Sequence, residues 1–356
     1  MKRLVFRLYA HCIAVRGARR STICDLQRHA WHLVPNALHD IVTTHRDLTR
    51  AELHERFGAE NAAVIDSYFG FLESRELGWW THEPERFPPL ELRWDAPARV
   101  TNAILDADDA SRHDFASLFA QLDELGCRTV QLRVYDPWPL ERLDAAVAHT
   151  DRGRIQSVEV LAPWLPGWND ETLLDFCARH PRVISFFATG APERRVVEGP
   201  YPGVSVVYRT ESVDSEAHCG QVHPGYFMAT LSAFAEAQAH NSCLNRKLSV
   251  DRRGGIRNCP SLPRVFGNAA HTPLAAALEA DGFRELWHVT RDQVEVCRDC
   301  EFRYLCTDCR AYTSPAGEGL HGKPARCSYD PYTATWRDEH PAALPVLSAA
   351  VAGPAR

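Results

Sequence analysis

The chain carries a dense group of thiols towards its C-terminal end. Residues 297–309 read CRDCEFRYLCTDC, with four cysteines in thirteen positions. Paired C-x-x-C spacing restricts their chemistry to metal binding, redox exchange or disulfide formation. The first residues, MKRLVFRLYAHCIAVRG, are interrupted by Arg7, His11 and Arg16 and lack the unbroken apolar stretch of a signal peptide. We therefore expect a cytoplasmic protein, in which structural disulfides are rare and metal binding is the leading use of the thiols.

The spacing of these thiols favours iron–sulfur clusters over zinc. In CLNRKLSVDRRGGIRNC, the segment LSV–DRRGG–IRN predicts a β-hairpin that brings Cys243 and Cys259 together. Zinc ribbons place roughly 15–20 residues between their two knuckles, whereas five residues separate Cys300 from Cys306. A spacer of this length suits cysteines that ligate the four irons of one cubane cluster, or cysteines that are divided between two clusters. Zinc and a redox use of the thiols remain alternatives.

Length and composition exclude several classes of protein. A chain of 356 residues, 45% hydrophobic and 24% charged, predicts a globular protein of two or three domains. The net charge of −6 argues against a nucleic-acid binder, which normally has a basic surplus. No apolar run approaches the roughly 18 residues that span a membrane. We therefore expect neither nucleic acid nor membrane as a partner.

Residues 1–85 predict a small module. Two strands, VFRLYAHCIAV and RSTICDL, flank the turn RGAR, and three helices follow in VPNALHDIVTTH, LTRAELHERFG and AAVIDSYFGFLESREL, the last ending at Gly78. This pattern resembles a winged-helix module and, more narrowly, the PqqD-like precursor-recognition element of peptide-modifying systems. The resemblance implies that the module binds a peptide along the exposed edge of RSTICDL or VFRLYA. An ordinary packing subdomain is the alternative.

The rest of the chain predicts an α/β fold with a cysteine-rich end. After the proline-rich segment EPERFPPLELRWDAP, residues 90–210 alternate strands and helices at the spacing of βα units, which predicts a parallel sheet curled into an open or partial barrel. Its first helix should have Ser111 as its N-cap, with Asp114 completing a capping box, and end at Gly126. Residues 211–340 form the cysteine-rich domain and residues 341–356 an irregular tail. The remaining cysteines are expected to be buried core residues: Cys12, Cys24, Cys127 and Cys177.

The cysteine pattern carries a resemblance to a known domain. The pattern resembles the signature of the SPASM domain, which carries two auxiliary [4Fe–4S] clusters in radical-SAM peptide maturases. That signature reads C-x9–15-G-x4-C, a gap, C-x2-C-x5-C-x3-C, a gap and a final C. Cys243, Gly254 and Cys259 match its first half. The second half is matched, with two residues instead of three before Cys309, by Cys297, Cys300, Cys306, Cys309 and Cys327.

The amino-acid sequence around the cysteines resembles that of the SPASM-domain peptide maturase of grasp-with-spasm systems. The matching stretches are AVRGARRSTICDLQR, TNAILDAD, HCG, CLNRKLSVDRRGGIRNCPS and VCRDCEFRYLCTDCRAY. The resemblance implies a ribosomally synthesised precursor peptide and an ATP-grasp ligase as partners. The C-x3-C-x2-C triplet of radical-SAM enzymes is absent from the sequence, so the middle domain resembles a degenerate radical-SAM barrel. We expect no cleavage of S-adenosylmethionine.

The resemblance also implies which cysteine serves which cluster. Cys297, Cys300, Cys306 and Cys327 would fully ligate one cluster. Cys243, Cys259 and Cys309 would hold the other, for which Cys219 is the first candidate as fourth ligand. His218, His223 and His240 are lesser candidates for that corner, and a buried thiol is the alternative role of Cys219.

Charged and aromatic residues surround these candidate ligands. Cations near the thiols would stabilise an anionic cluster, and the candidates are Arg246, Lys247, Arg257, Arg298, Arg303 and Arg310. Phe302, Tyr304 and Tyr312 are expected to shield the clusters from water. A catalytic or metal-binding role is a weaker hypothesis for the acidic group Asp106, Asp108, Asp109, His113 and Asp114, whose members also suit helix capping or solvation.

Three functions are compatible with these patterns. The first is an iron–sulfur peptide maturase component that binds a precursor peptide and takes part in its modification. The second is a non-catalytic precursor-binding scaffold with structural clusters or zinc. The third, an unrelated α/β enzyme with a structural metal, is weakest because the chain lacks a phosphate loop, a nucleophile motif and a dinucleotide fingerprint.

Overall fold

A computed structural model describes residues 3–151, 153–199, 201–313 and 319–337. The chain divides into two compact units, each built from separate stretches of sequence. Among the described residues, the first unit comprises those of 3–95, 222–242 and 289–337, and the second comprises those of 96–221 and 243–288. The predicted irregular tail, residues 341–356, lies outside the described residues. Within the described ranges, no helix has the length and apolar character needed to cross a membrane.

The N-terminal part of the first unit contains two small sheets and three helices. Its elements are β1 (Val5–Leu8), β2 (Cys12–Arg16), β3 (Ser21–Asp25), β4 (Ala30–Val34), α1 (Asn36–Val42), α2 (Arg50–Phe57), α3 (Ala62–Ser74) and β5 (Gly78–Thr81). Strand β1 pairs antiparallel with β5, and β2, β3 and β4 form a three-stranded antiparallel sheet with β3 in the middle. The three predicted helices are confirmed.

Two details of the N-terminal prediction are wrong. The segment VFRLYAHCIAV is two strands, because a turn closed by the Cys12 N–H donating to the Tyr9 carbonyl (2.8 Å) separates β1 from β2. Gly78 does not end α3; the helix ends at Ser74, and Gly78 begins β5. The close packing of Gly78 explains its identity, since a Cβ there would lie 2.2 Å from the Arg7 carbonyl oxygen of the paired strand.

The remaining elements follow in chain order. They are β6 (Asn102–Ala107), α4 (Phe115–Glu124), β7 (Thr129–Val134), α5 (Leu140–Val147), β8 (Ser157–Pro163), α6 (Asp170–Arg179), β9 (Val183–Thr189), β10 (Arg195–Glu198), β11 (Ser205–Tyr208), α7 (Leu231–Ala239), β12 (Lys247–Val250), β13 (Ile256–Arg257), α8 (Leu274–Leu278), β14 (Tyr329–Asp330) and β15 (Thr335–Trp336). Helix α7 and strands β14 and β15 belong to the first unit, and the other elements belong to the second.

The second unit is built on one eight-stranded sheet of order β10-β11-β9-β8-β7-β6-β12-β13. Strands β6, β7, β8, β9 and β11 run parallel, as the βα spacing predicts, and the mixed α/β class is confirmed. The hairpin that carries Cys243 and Cys259 is confirmed as β12 and β13. Strand β12 also pairs in parallel with β6, so the hairpin extends the same sheet. The sequence did not predict that pairing.

The start of α4 is three residues later than predicted. Asp114, rather than Ser111, is the N-cap, and its carboxylate accepts the Ser117 N–H at 3.0 Å. The Ser111 hydroxyl instead donates to the Arg252 carbonyl at 2.7 Å. Gly126 follows the helix with φ +80°, as expected for a residue that ends a helix.

The two faces of the large sheet differ in chemistry. Helices α4, α5 and α6 cover an apolar face whose side chains include Leu105, Leu132, Val160 and Phe186. The opposite face carries polar side chains, several of them buried, beside a small apolar cluster of Leu161, Phe187 and Val207. The strand register aligns Ser249, Ile104, Gln131, Glu159 and Ser185 in one row across it. Lys247 lies two residues before Ser249 and therefore belongs to the same face.

Candidate metal centres

The second unit gathers three cysteines around one lysine. The Lys247 ammonium donates to Cys243 Sγ at 3.5 Å. Burial would lower the pKa of Lys247, but Cys243, Cys259 and Cys219 together hold it above its ordinary value. All three thiols are therefore close enough to act on one cation. We call this group of Cys219, Cys243, Cys259 and Lys247 the lysine centre.

The hairpin positions two of these thiols. Cys243 precedes β12 and Cys259 follows β13, so the antiparallel pairing brings them together although they are sixteen positions apart. The turn depends on Gly254, which has φ +81° and would place a Cβ 2.8 Å from the Asn268 side-chain oxygen. The glycine of the cysteine pattern is therefore required by backbone conformation and by space.

The Cys259 thiol of the lysine centre favours its protonated form without a metal. Burial, with Cys243 as a further contributor, raises the pKa of Cys259 to about 12. A metal that binds there must displace the thiol protons, so its affinity should fall as the pH falls. Cys219 is the exposed member of the group, and Cys243 is partly exposed.

The first unit contains a second group of thiols around an arginine. Arg291 is buried, and its guanidinium donates through Nη1 to Cys297 Sγ and through Nη2 to Cys306 Sγ, both at 3.1 Å. Burial would lower the pKa of Arg291, whereas Asp308, Cys306, Cys297 and Cys327 raise it. Cys300 acts electrostatically with Cys306 and Cys297. We call Arg291 with Cys297, Cys300, Cys306 and Cys327 the arginine centre.

Buried charges support the arginine centre. Asp308 lies 3.5 Å from Arg291 and 2.6 Å from Arg310, and it accepts a hydrogen bond from Asn241 at 2.9 Å. Both arginines and the aspartate are almost fully buried. Two guanidinium groups and one carboxylate leave one net positive charge, which complements thiolates or an anionic cluster.

The loop that carries Cys297 and Cys300 is held by the N-terminal sheet of the same unit. Glu301 is fully buried, and Arg20 donates to its carboxylate at 2.7 Å. The Thr22 hydroxyl donates to the Glu301 carbonyl at 2.8 Å. Val296, immediately before Cys297, has φ +65°, a conformation that costs a β-branched residue about 1–3 kcal/mol. These contacts hold the cysteine loop in a backbone shape that it would not adopt alone.

The donor sets fit iron–sulfur clusters. Sulfur donors with a buried cation beside them suit a cluster that carries a net charge of about −2. A tetrahedral zinc ion would instead need its sulfurs drawn together at one point. Within the described ranges, no three cysteine sulfurs lie within 4.8 Å of one another. A cubane, which takes its cysteines at separate corners, tolerates such wider spacing.

Most of the other predicted site residues have structural partners. Of the six candidate cations, Lys247 contacts a thiol, while Arg246 donates to the Ala96 and Ala98 carbonyls and Arg310 to the Leu320 and Gly322 carbonyls. Arg257 donates to Asp251 and Arg303 to Asp292, whereas Arg298 forms an ion pair with Asp299 at 3.9 Å. Cys309 is buried in the first unit, next to Asp308 in sequence.

The candidate histidines and aromatic residues also have identified neighbours. His218 pairs with Asp214 at 3.0 Å, His223 accepts the Gly225 N–H, and His240 packs on Trp94. Phe302 is buried among Trp31, Phe227 and Tyr329, Tyr304 packs on Phe234, and Arg326 lies over Tyr312. The four cysteines predicted as core residues, Cys12, Cys24, Cys127 and Cys177, are buried.

The acidic group predicted between β6 and α4 does not form a single site. Asp106 is buried and accepts two hydrogen bonds from Arg133, at 2.6 and 2.8 Å. Asp108 accepts the Ala110 N–H, Asp109 pairs with Arg142, and Asp114 caps α4. His113 contacts the Asp106 carbonyl at 2.8 Å. These side chains fix the loop after β6.

The sequence patterns missed Arg291 and Glu159. Arg291 lies six residues before Cys297, where spacing alone does not distinguish it from other nearby arginines. Glu159 lies in an apolar strand, SVEVLAP, and its charge in that run was the only available signal. Its pKa is raised to about 7 by burial, against the lowering effects of the Gln131 hydrogen bond and of Lys247.

Comparison with known proteins gives little further information. No protein-family model matches the chain, and no curated protein matches it. Among solved structures, the chain is similar to the crystal structure of Streptococcus suis SuiB bound to S-adenosylmethionine, at 10% identity and a TM-score of 0.32, over 87% of this chain and 95% of that one. A TM-score this low does not establish a shared fold. The architecture therefore rests on the strand order of this chain.

Proposed function

We propose that this protein is an iron–sulfur component of a peptide-modifying system. It holds two [4Fe–4S] clusters, binds a ribosomally synthesised precursor peptide and takes part in its modification beside an ATP-grasp ligase. The observation that carries the cluster assignment is the gathering of two separate groups of cysteines, each around its own cation, Lys247 or Arg291. The SPASM-like spacing of the same cysteines supports it. The peptide and the ligase follow from the resemblance to grasp-with-spasm maturases.

Each group of cysteines has its own proposed cluster. Cys297, Cys300, Cys306 and Cys327 ligate the cluster of the arginine centre. Cys219, Cys243 and Cys259 ligate the cluster of the lysine centre, and Cys309 remains a ligand predicted from the SPASM pattern. When bound, such clusters would supply electron transfer or a Lewis-acidic iron. Arg291 and Lys247 donate hydrogen bonds to ligand sulfurs and offset the buried negative charge.

Metal analysis tests the proposal. Protein purified or reconstituted without oxygen should contain about eight iron and eight sulfide ions per chain and absorb broadly near ~400 nm. The Cys177→Ala variant is the matched control, because Cys177 is a buried cysteine of α6 outside both centres. It should retain the iron of the parent protein. Zinc in place of iron, without acid-labile sulfide, would contradict the cluster assignment.

A non-catalytic scaffold is the second candidate, and one observation favours it. The arginine centre offers four cysteines, enough to ligate every corner of its cluster and leave no iron open to a substrate. Binding of the precursor peptide then leaves the electron paramagnetic resonance spectrum of both reduced clusters unchanged. A peptide-induced change in one cluster would instead indicate an accessible iron and favour the maturase.

A further inference from the structure

A third group of metal-binding side chains lies in the first unit. His11 and Cys12 precede and begin β2, and Asp25 ends β3 directly opposite Cys12 in the strand register. One donor atom from each residue lies within 4.8 Å of the other two, and His11 Nε2 is 3.6 Å from Asp25 Oδ1. A tetrahedral zinc ion holds its donor atoms roughly 3.3–3.8 Å apart, given bond lengths of about 2.0–2.3 Å. The three side chains therefore already approach the spacing that one ion requires.

Two of the three donors are buried. Asp25 is 1% exposed and Cys12 is 4% exposed. The Cys12 thiol makes no hydrogen bond to any residue that the structure describes. An ionised carboxylate beside a thiol is costly to bury unless a cation is present. The Arg28 guanidinium lies 3.2 Å from the Asp25 carboxylate and supplies part of the compensating positive charge. Its side chain, however, is half exposed and also pairs with Glu76.

Neighbouring groups fix the orientation of each donor. The Asp25 carboxylate accepts the N–H groups of Gln27 and Arg28 at 3.2 and 3.0 Å. A carboxylate has about four lone-pair positions, so it can still ligate a metal. The His11 ring stacks on Tyr9 at a centroid distance of 5.6 Å, and its carbonyl accepts the Leu26 N–H. Both backbone N–H groups bond to Oδ1 of Asp25, and the Arg28 guanidinium donates to Oδ2 at 3.2 Å, so one lone-pair position of Oδ2 remains for a metal.

We propose that His11, Cys12 and Asp25 bind one zinc ion. Imidazole nitrogen, thiolate sulfur and carboxylate oxygen are all zinc ligands, and three protein ligands leave a fourth position for water. Binding displaces the Cys12 thiol proton to solvent, and His11 ligates through Nε2. The ion joins the start of β2 to the end of β3 and offsets the charge of Asp25. It is separate from the two proposed cluster centres and does not depend on them.

Zinc content and local structure test this site in the full-length protein. The full-length protein with reconstituted clusters is incubated with zinc sulfate and desalted, and its zinc and iron contents are then measured. Zinc K-edge X-ray absorption then reports the ligands of zinc alone. The variants are Cys12→Ala and His11→Ala, and Cys24→Ala is the matched control because Cys24 is an equally buried cysteine of β3 outside the group.

We expect one zinc per chain in the parent and in Cys24→Ala, with one sulfur and two or three nitrogen or oxygen ligands. Cys12→Ala and His11→Ala should lose at least about 90% of that zinc, with iron unchanged. If Cys12→Ala does not fold, His11→Ala decides, because the His11 side chain is 28% exposed. Equal zinc in all four proteins, no zinc in the parent, or a sulfur-only shell would overturn the proposal.

Discussion

At the scale of residues, the molecule buries charges where its thiols gather. Lys247 and Arg291 each donate to cysteine sulfur, and burial alone would lower the pKa of both cations. Cys243 at Lys247, and Asp308 followed by Cys306 at Arg291, oppose that effect and hold the pKa of each cation above its ordinary value. This explains why two cations are placed among cysteines rather than in solvent.

Glu159 provides a residue-scale prediction of pH dependence. Burial raises the pKa of its carboxyl from 4.5 to about 7. The unfolded chain therefore loses this proton at lower pH than the folded protein, and the stability contribution of Glu159 falls as pH rises from 4.5 to 7. Above pH 7 this contribution of Glu159 to the free energy of unfolding is fully lost. Glu159→Gln, which stays neutral, should be more stable than the parent by up to roughly 3 kcal/mol at pH 7.5.

Denaturant unfolding of both proteins between pH 5 and pH 8 measures this difference. The advantage of Glu159→Gln should be small at pH 5 and should grow to its full size near pH 7. The comparison at pH 5 serves as the internal control for any change in packing. A difference that does not vary with pH would show that Glu159 is ionised in the folded protein throughout this range.

At the scale of elements, the strand order changes where a peptide could bind. RSTICDL was expected to offer an edge, but β3 is paired on both sides, by β2 and by β4. For RSTICDL that expectation is wrong, because a central strand has no open backbone groups. The alternative, VFRLYA, contains β1, which forms a two-stranded sheet with β5 and is an edge strand. Strand β4 lies at one edge of this sheet, and His32 on it packs against Phe71 of α3. A strand edge beside a helix is the arrangement that β-augmentation uses.

We predict that the leader of the precursor peptide adds to β4. Leu33 is an exposed apolar residue on that strand, so Leu33→Asp should weaken leader binding by about tenfold or more through loss of apolar contact. Leu231→Asp is the matched control, because Leu231 is a similarly exposed leucine of α7 in the same unit. Fluorescence anisotropy of a labelled leader measures both. If both variants bind the leader with equal affinity, the leader does not bind at β4.

At the scale of the whole molecule, sequence order and spatial organisation differ. The first unit combines described residues of 3–95 with those of 289–337, and it includes contacts of Arg20 and Thr22 with Glu301 beside Cys300. Deleting the N-terminal module would therefore remove the support of the arginine centre. Such a deletion cannot separate peptide binding from cluster loss, whereas point variants on β4 can.

The two centres should lose their metal independently. Cys306→Ala should remove the cluster of the first unit and Cys259→Ala that of the second, so each variant should keep about half of the iron. Cluster loss should also expose the affected unit to protease, because metal binding contributes to folding. Iron analysis and limited proteolysis with mapped cleavage sites measure both effects, and Cys177→Ala is again the control. Complete iron loss from either variant would show that the centres depend on each other.

The sequence alone determined the features that are local or periodic. The βα spacing predicted the parallel strands, the glycine-containing turn predicted the hairpin of Cys243 and Cys259, and single cysteines in apolar segments were correctly placed in the core. These features depend on neighbours a few residues apart or on hydrophobic periodicity, both of which a sequence displays directly.

Only the tertiary structure decided which distant groups meet. It placed Arg291 between Cys297 and Cys306, aligned Glu159 with Gln131 across two strands, and brought Cys12 opposite Asp25. It also made β3 a central strand and joined β12 to β6. Strand order and register determine such contacts, and both depend on packing over the whole unit. The physical reason is that burial changes the chemistry of a charged or thiol group, and burial is set by the fold rather than by residue type.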